Sequence, residues 1–495
     1  MADFVANATV PHGSSDTWTD GKRYLWLIGL VVPSLAFVAF AMFQLTGLGG
    51  WLWIGPIVIL VIVPAIDLVA GLDRSNPPDD VIERLEGDRY YRWITYLYLP
   101  VQYLGFVAAF VWIARPEWLG VAPLDTVEKL GMAVSIGCIG GIGINTAHEL
   151  GHKKESHERW LSKIALAQSF YGHFYIEHNR GHHVRVATPE DPASSRLGES
   201  FYEFWPRTVL GSLRSAWRLE KRRYARRGKH PFRLGNDVLN AWVMSAVLWG
   251  VMLAVLGVGL LPYLLVQAVV GFSLLEVVNY MEHYGMLRQK VGEGHRRRYE
   301  RVAPSHSWNS NNIATNVLLY HLQRHSDHHA NPTRRYQTLR DFEESPALPT
   351  GYAGMIILAA IPPVWRRVMD PRVLAHLGGD VTLANLSPRR REAYLARYAP
   401  APTPEGLQTL AGARSSTGGS GTTGGSETTG SNEVLAARCP GCGYTYEVER
   451  GAEHEGFAAG TAWSQIPASW CCPDCGVREK VDFVPVEPES AGRSD

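Results

Sequence analysis

Three histidine runs are placed to do chemistry together: His148-Glu149-Leu150-Gly151-His152, His178-Asn179-Arg180-Gly181-His182-His183 and His325-Ser326-Asp327-His328-His329. On an α-helix, residues three or four apart share a face, so each run can aim two imidazoles at one point with a third beside it. A fourth element, Asn279-Tyr280-Met281-Glu282-His283, adds one more ring. These nine rings exceed the three or four protein ligands of a mononuclear catalytic zinc and suit two metal ions. Imidazole ligands usually donate their second N–H to a carboxylate, and Glu149, Glu177, Glu282 and Asp327 lie within or beside the runs. His173, near Glu177, and His321, one helical turn before His325, are candidates for the same supporting role. The remaining histidines, His12, His157, His230, His295, His376 and His454, read as surface residues, and His306 is left open.

Two other readings compete. His148-Glu149-Leu150-Gly151-His152 matches the H-E-x-x-H pattern of zinc metalloproteases, in which the Glu is the general base. A protease of that kind needs one further ligand, whereas this chain offers seven more clustered histidines. The carboxylate-type diiron bundle takes two Glu-x-x-His motifs from facing helices. Glu149-Leu150-Gly151-His152 fits once and no second copy follows, so the metal shell is expected to be mostly nitrogen.

Five of the six cysteines are packed between Cys439 and Cys475. Cys439-Pro440-Gly441-Cys442 and Cys472-Pro473-Asp474-Cys475 are two C-x-x-C knuckles whose four thiolates would enclose one tetrahedral metal. Each knuckle is followed by a glycine, which allows a tight turn that points backbone N–H groups at sulfur. Ligand type alone does not separate zinc from iron. The gap between the knuckles is longer than the spacing usual in a zinc ribbon. Cys471 falls outside the C-x-x-C register and reads as a spare thiol.

What must position these groups is a set of apolar helices. Stretches of about twenty residues with almost no charge span a bilayer core, and they are expected at 24–44, 51–72, 93–114, 130–147, 241–257 and 260–281. The mean hydropathy of −0.09 averages this apolar first half with a polar second half. Lys and Arg collect between the second and third spans, between the fourth and fifth, and after the sixth, which orients both termini and the histidines toward the cytoplasm. Asp67, near the cytoplasmic end of the second span, is a functional candidate by its depth alone. The Arg-rich stretch 214–227 is expected against anionic headgroups. Glycines 137, 140, 141 and 143 suit close helix packing. With Lys+Arg 48 against Asp+Glu 47, no electrostatic argument favours nucleic acid.

A Gly/Ser/Thr stretch without apolar docking residues separates the two kinds of metal site. The expected division is 1–400 for the membrane domain with its cap, 401–432 for a flexible linker, 433–486 for the cysteine domain and 487–495 for a tail.

The segments Phe174–His183, Asn279–Gly285 and Leu322–Ala330 resemble the signatures of membrane-bound alkane 1-monooxygenases, over roughly residues 20–400. Residues 433–486, with Ile466-Pro467 ahead of Trp470 and the two knuckles, are similar to rubredoxin. The resemblance implies a mainly α fold, a six-helix transmembrane bundle with a cytoplasmic helical cap, plus a small metal-bound rubredoxin-like domain. It implies two iron ions held by His148, His152, His178, His182, His183, His283, His325, His328 and His329, and one iron held by Cys439, Cys442, Cys472 and Cys475. The implied reaction inserts one atom of O2, the co-substrate, into the terminal methyl of an n-alkane drawn from the bilayer. Electrons would come from the fused rubredoxin, itself reduced by an NAD(P)H-dependent rubredoxin reductase, at a bacterial inner membrane. Membrane desaturases and fatty-acid hydroxylases share three histidine boxes and remain the alternative.

Overall fold

The computed structural model describes residues 18–293, 298–398, 434–468 and 470–486; the linker at 401–432, the tail at 487–495, His12 and His295 fall outside these residues. Six helices are long and apolar enough to cross a membrane: Leu25–Thr46, Gly49–Ala70, Arg89–Ala114, Thr126–Gly151, Asp237–Leu256 and Val258–Glu282. Polar side chains start three of them. Asp88 accepts from Tyr90 N–H, Asp125 forms a reciprocal capping box with Glu128, and Asn236 accepts from Val238 and Leu239. The fifth and sixth spans meet at Gly257, whose φ of 98° ends the fifth helix in a conformation closed to most side chains.

The fourth span is the centre of the bundle. Its hydrophobic window is 83% buried, against 28–50% for the others, so protein rather than lipid surrounds it. Its glycines explain how. A Cβ on Gly137 would stand 2.7 Å from the Gln267 carbonyl oxygen, and one on Gly141 would stand 2.9 Å from that of Gly271, so the fourth and sixth spans cross backbone to backbone. On the bilayer side, Trp112, Phe106 and Phe110 pack with Leu52, Ile136 and Trp249 into an apolar core. The second span contains a π-helical turn at Val58–Ile62, which ends two residues before Pro64, a residue with no N–H to continue the α-helical ladder.

At one end of the bundle, residues 152–236, 283–293 and 298–398 form a helical cap around Trp308, Trp365, Tyr280, Tyr284 and Tyr352. The apolar stretch at 352–363, too short to span a bilayer, contains the short helix Tyr352–Ala359, packed against the sixth and second spans. Beyond the cap, strands Ala436–Arg438, Thr445–Glu447 and Val484–Val486 make a three-stranded antiparallel sheet with the first strand in the middle. Tyr446, Phe457, Trp470 and Phe483 fill its small core against the cysteines.

Candidate metal centre

The nine histidines gather into two buried groups. His148, His152, His178, His183 and His328 form one, and His182, His283, His325 and His329 the other. Two kinds of local geometry bring the rings together. His148 and His152 share a face through the i, i+4 spacing at the end of the fourth span, and His325 and His329 do so on the short helix His325–Ala330. The middle run behaves otherwise. His178–His182 is a π-helical turn, whose wider winding brings i and i+5 together, so His178 pairs with His183 and His182 turns to the other group. The α-helical expectation would have paired His178 with His182.

The ring nitrogens crowd together as ligands of one ion would. In the five-histidine group His148 Nε2 lies 2.9 Å from His328 Nε2, and His183 Nε2 lies 3.1 Å from both His328 Nε2 and His178 Nε2. In the other, His325 Nε2 is 3.2 Å from His283 Nε2 and 2.9 Å from His329 Nε2. Neighbouring ligands about 2.1 Å from a shared ion sit about 3 Å apart, so this spacing fits metal. His152 Nε2 and His182 Nε2 are buried with no hydrogen-bond partner, again as expected of ligand atoms. The groups abut, with the His183 and His329 rings 4.4 Å apart. Burial, with the neighbouring imidazoles, pushes the rings of His152, His178, His183, His325, His328 and His329 well below their ordinary value. They are therefore neutral, the form that binds a metal.

The carboxylates divide differently from the sequence expectation. Glu149 pairs with Lys153 at 2.8 Å and accepts from Tyr336 N–H; Glu177 pairs with Arg185 at 2.7 Å; Asp327 accepts from Asn331, Arg334 and the Arg340 N–H. None of these three makes a hydrogen bond to a histidine; each is instead held by a cationic side chain, Lys153, Arg185 or Arg334. Glu149 Oε1 takes both of its contacts, so the carboxylate that a protease base would need free is ion-paired with Lys153. Glu282 is placed on the metal side: its Oε2 is 3.2 Å from His325 Nε2, while Oε1 accepts from Tyr352 O–H. His321 turns away to Lys22 and the Tyr336 carbonyl, Asp67 holds Thr315, and the His173 ring packs on Tyr171. None of the three falls in either histidine group.

Two acids were passed over in the sequence. Asp191 Oδ2 lies 2.8 Å from His182 Nδ1 and is held by Ser194 O–H. Its signal was weak, a lone Asp nine residues beyond its partner. Glu276, buried in the sixth span, accepts from Tyr171, Thr208 and Asn279. Its position within an apolar helix marks it for attention.

An apolar cavity opens onto both groups. Ile59 and Val63 of the second span, Leu274 and Val278 of the sixth, and Leu318 and Ile356 of the cap line its walls, and His148, His178, His325, Asn279 and Glu282 close its polar end.

In the small domain, Cys442 Sγ is 3.4 Å from Cys472 Sγ and Cys439 Sγ is 3.8 Å from Cys475 Sγ, against about 3.8 Å for a tetrahedral site with 2.3 Å bonds. Cys471 stays outside the cluster, and burial pushes its thiol up to about 12. The domain sits on the cap beside the histidines. Glu455 pairs with Arg180 at 2.6 Å and with Arg226 at 3.6 Å, Asp482 pairs with Arg301, and Lys154 Nζ donates to the Cys442 carbonyl at 2.6 Å. Arg223 contacts His454, so this histidine is an interface residue. Arg223 and Arg226, expected against lipid headgroups, serve this dock instead, because the helix Phe201–Arg226 presents them to an acidic partner within the chain.

Residues 129–359 match the family model described as fatty acid desaturase, and residues 436–483 match that of rubredoxin. The chain is 47% identical over 387 residues to alkane 1-monooxygenase of Acinetobacter baylyi, covering 77% of this chain and 91% of that one. It is 44% identical to alkane 1-monooxygenase of Ectopseudomonas oleovorans, covering 78% and 94%. A xylene/toluene monooxygenase hydroxylase component of Pseudomonas putida is 23% identical over 64% of this chain.

Proposed function

The chain belongs to the alkane 1-monooxygenase family, and on that premise we propose that it converts n-alkanes to 1-alkanols, drawing electrons through its own rubredoxin domain. The balance is one alkane, one O2, two electrons and two protons to one alcohol and one water. The observation that carries the reading is the apolar cavity ending on histidines from both groups. An alkane offers no hydrogen-bonding handle, so only the shape of an apolar channel can present its end to the metals.

Iron ions held by the two histidine groups would supply the dioxygen chemistry that side chains lack. The protein's own contribution is placement. The fourth and sixth spans fix His148 and Glu282 at the polar end, and Asp191 fixes the tautomer and tilt of His182. Leu274, Val278 and Glu282 follow one another at i+4 along the sixth span, so one helix face runs from the channel wall to the metal side. In this reading the four-cysteine site holds iron, an NAD(P)H-dependent rubredoxin reductase supplies it with electrons, and the histidine end of the bundle faces the cytoplasm.

Purified full-length protein should contain three iron ions and, given octane, 18O2 and a reducing system, should yield 1-octanol carrying one 18O. Subterminal octanols as the main product would overturn terminal attack, and an alkene product would point to desaturation.

A further inference from the structure

The two knuckles of the rubredoxin domain are near copies. Each reads Cys-Pro-x-Cys-Gly, and each glycine has a left-handed backbone, with φ of 77° at Gly443 and 69° at Gly476. Each N–H of these glycines bonds the carbonyl of the first cysteine, Gly443 to Cys439 at 3.0 Å and Gly476 to Cys472 at 2.9 Å. In isolation the two faces of the site are equivalent.

Docking makes them unequal. Cys475 is 2% exposed and Gly476 is buried, and a Cβ on Gly476 would overlap the Asn179 carbonyl oxygen and stand 3.6 Å from His183 Cβ. Asn179 and His183 lie in or next to the π-helical turn that feeds the five-histidine group. Gly443, by contrast, is exposed, Cys442 is half-buried, and nothing lies within 4 Å of where a Gly443 Cβ would be. Two basic side chains stand at the open knuckle: Lys154 of the cap at the Cys442 carbonyl and Arg478 against Gly441.

We propose that the docked domain is a two-faced relay. An external reductase with an acidic docking face delivers electrons through the open Cys442–Gly443 knuckle. They leave through the buried Cys475–Gly476 knuckle, by way of Asn179 and His183, into the five-histidine group. One electron reduces the cysteine-held iron from ferric to ferrous, and the same electron then passes on and returns that iron to ferric. Two such passes supply the two electrons of one turnover. The domain does not have to leave its dock between them, which matters because Glu455 and Asp482, at 7% and 4% side-chain exposure, hold it through ion pairs made by buried carboxylates. The inference rests on the proposed function of the rubredoxin domain as electron donor.

The test places one wedge on each face. Asn tolerates a left-handed backbone, so Gly443→Asn and Gly476→Asn should both keep the ferric–thiolate absorption. In stopped flow with a purified NADH-dependent rubredoxin reductase, Gly443→Asn should slow bleaching of that absorption at least tenfold. Its bleaching by dithionite and its reoxidation with O2 and octane should be unchanged. Gly476→Asn should reverse the pattern, with normal bleaching by the reductase and reoxidation slowed at least tenfold. A third arm locks the dock, with Arg180→Cys and Glu455→Cys bridged by a bis-maleimide, and the reductase should still bleach the locked domain. Loss of reductase bleaching in the locked protein, or equal effects of the two wedges on both steps, would overturn the relay. Absence of a ferric–thiolate absorption in the unsubstituted protein would instead sink the rubredoxin reading itself.

Discussion

Asp191 Oδ2 lies 2.8 Å from His182 Nδ1, the one hydrogen bond among the described residues between a carboxylate and the remote nitrogen of a candidate metal ligand. Burial opposes the charge on Asp191, yet His182 and Ser194 hold its carboxyl below the ordinary range. Asp191→Asn should lower iron content or turnover by about 10–100-fold, as loss of such a partner does. Iron analysis of the purified variant checks this, and normal iron with normal turnover would remove Asp191 from the site's support.

Glu149 and Lys153 are a buried pair, with side chains 9% and 1% exposed. Glu149→Gln leaves Lys153 without its anion and should destabilise the protein by about 3–5 kcal/mol. The unsubstituted protein should cleave no peptide substrate. Thermal unfolding in detergent reads the first effect; peptide cleavage abolished by this variant would revive the zinc protease.

The glycines of the fourth span should not respond alike. Gly141→Ala drives a Cβ against the Gly271 carbonyl and Leu274, and should cost about 1–3 kcal/mol. Gly140→Ala meets nothing nearer than 3.9 Å and should be neutral or slightly stabilising. Equal melting temperatures for the two variants would contradict the close crossing of the fourth and sixth spans.

Leu274 lies two i+4 steps before Glu282 on the cavity face of the sixth span, about 12 Å along the helix from the polar end. Leu274→Trp should shorten the usable channel and shift turnover toward shorter n-alkanes, with iron content unchanged. Competition between octane and hexadecane, read by product ratio, measures it. An unaltered ratio would place the alkane elsewhere.

At the dock, burial opposes the charge on Glu455, but the Arg180 guanidinium and His454 hold its carboxyl well below its ordinary 4.5. A depressed carboxylate stabilises the state that depresses it above its ordinary value and loses that contribution as pH falls. Docking should therefore be flat with pH from 6 to 8 and weaken below about 4.5. Glu455→Gln should remove about 2–5 kcal/mol of docking at neutral pH. Hydrogen exchange of the segment 179–186 reads both, and unchanged protection in the variant would count against this ion pair.

Much of this protein is set by local pattern. Six apolar stretches of bilayer length must become spans whatever surrounds them, because an unpaired backbone in lipid is too costly. The histidine runs and the paired knuckles are equally legible, since few other uses exist for so many ligands at such spacing. Tertiary structure decided which ligand serves which ion. The sequence placed His178, His182 and His183 in one run, and only the π-helical turn sends His182 to the other group. It also decided which acids support the rings. Glu149, Glu177 and Asp327 sit closest in sequence, but Lys153, Arg185 and Arg334 reach them first, while Asp191 reaches His182 from a separate loop. The arginines expected against lipid became a dock for the same reason: a charged group pairs with the nearest opposite charge in space, and sequence order does not fix that distance.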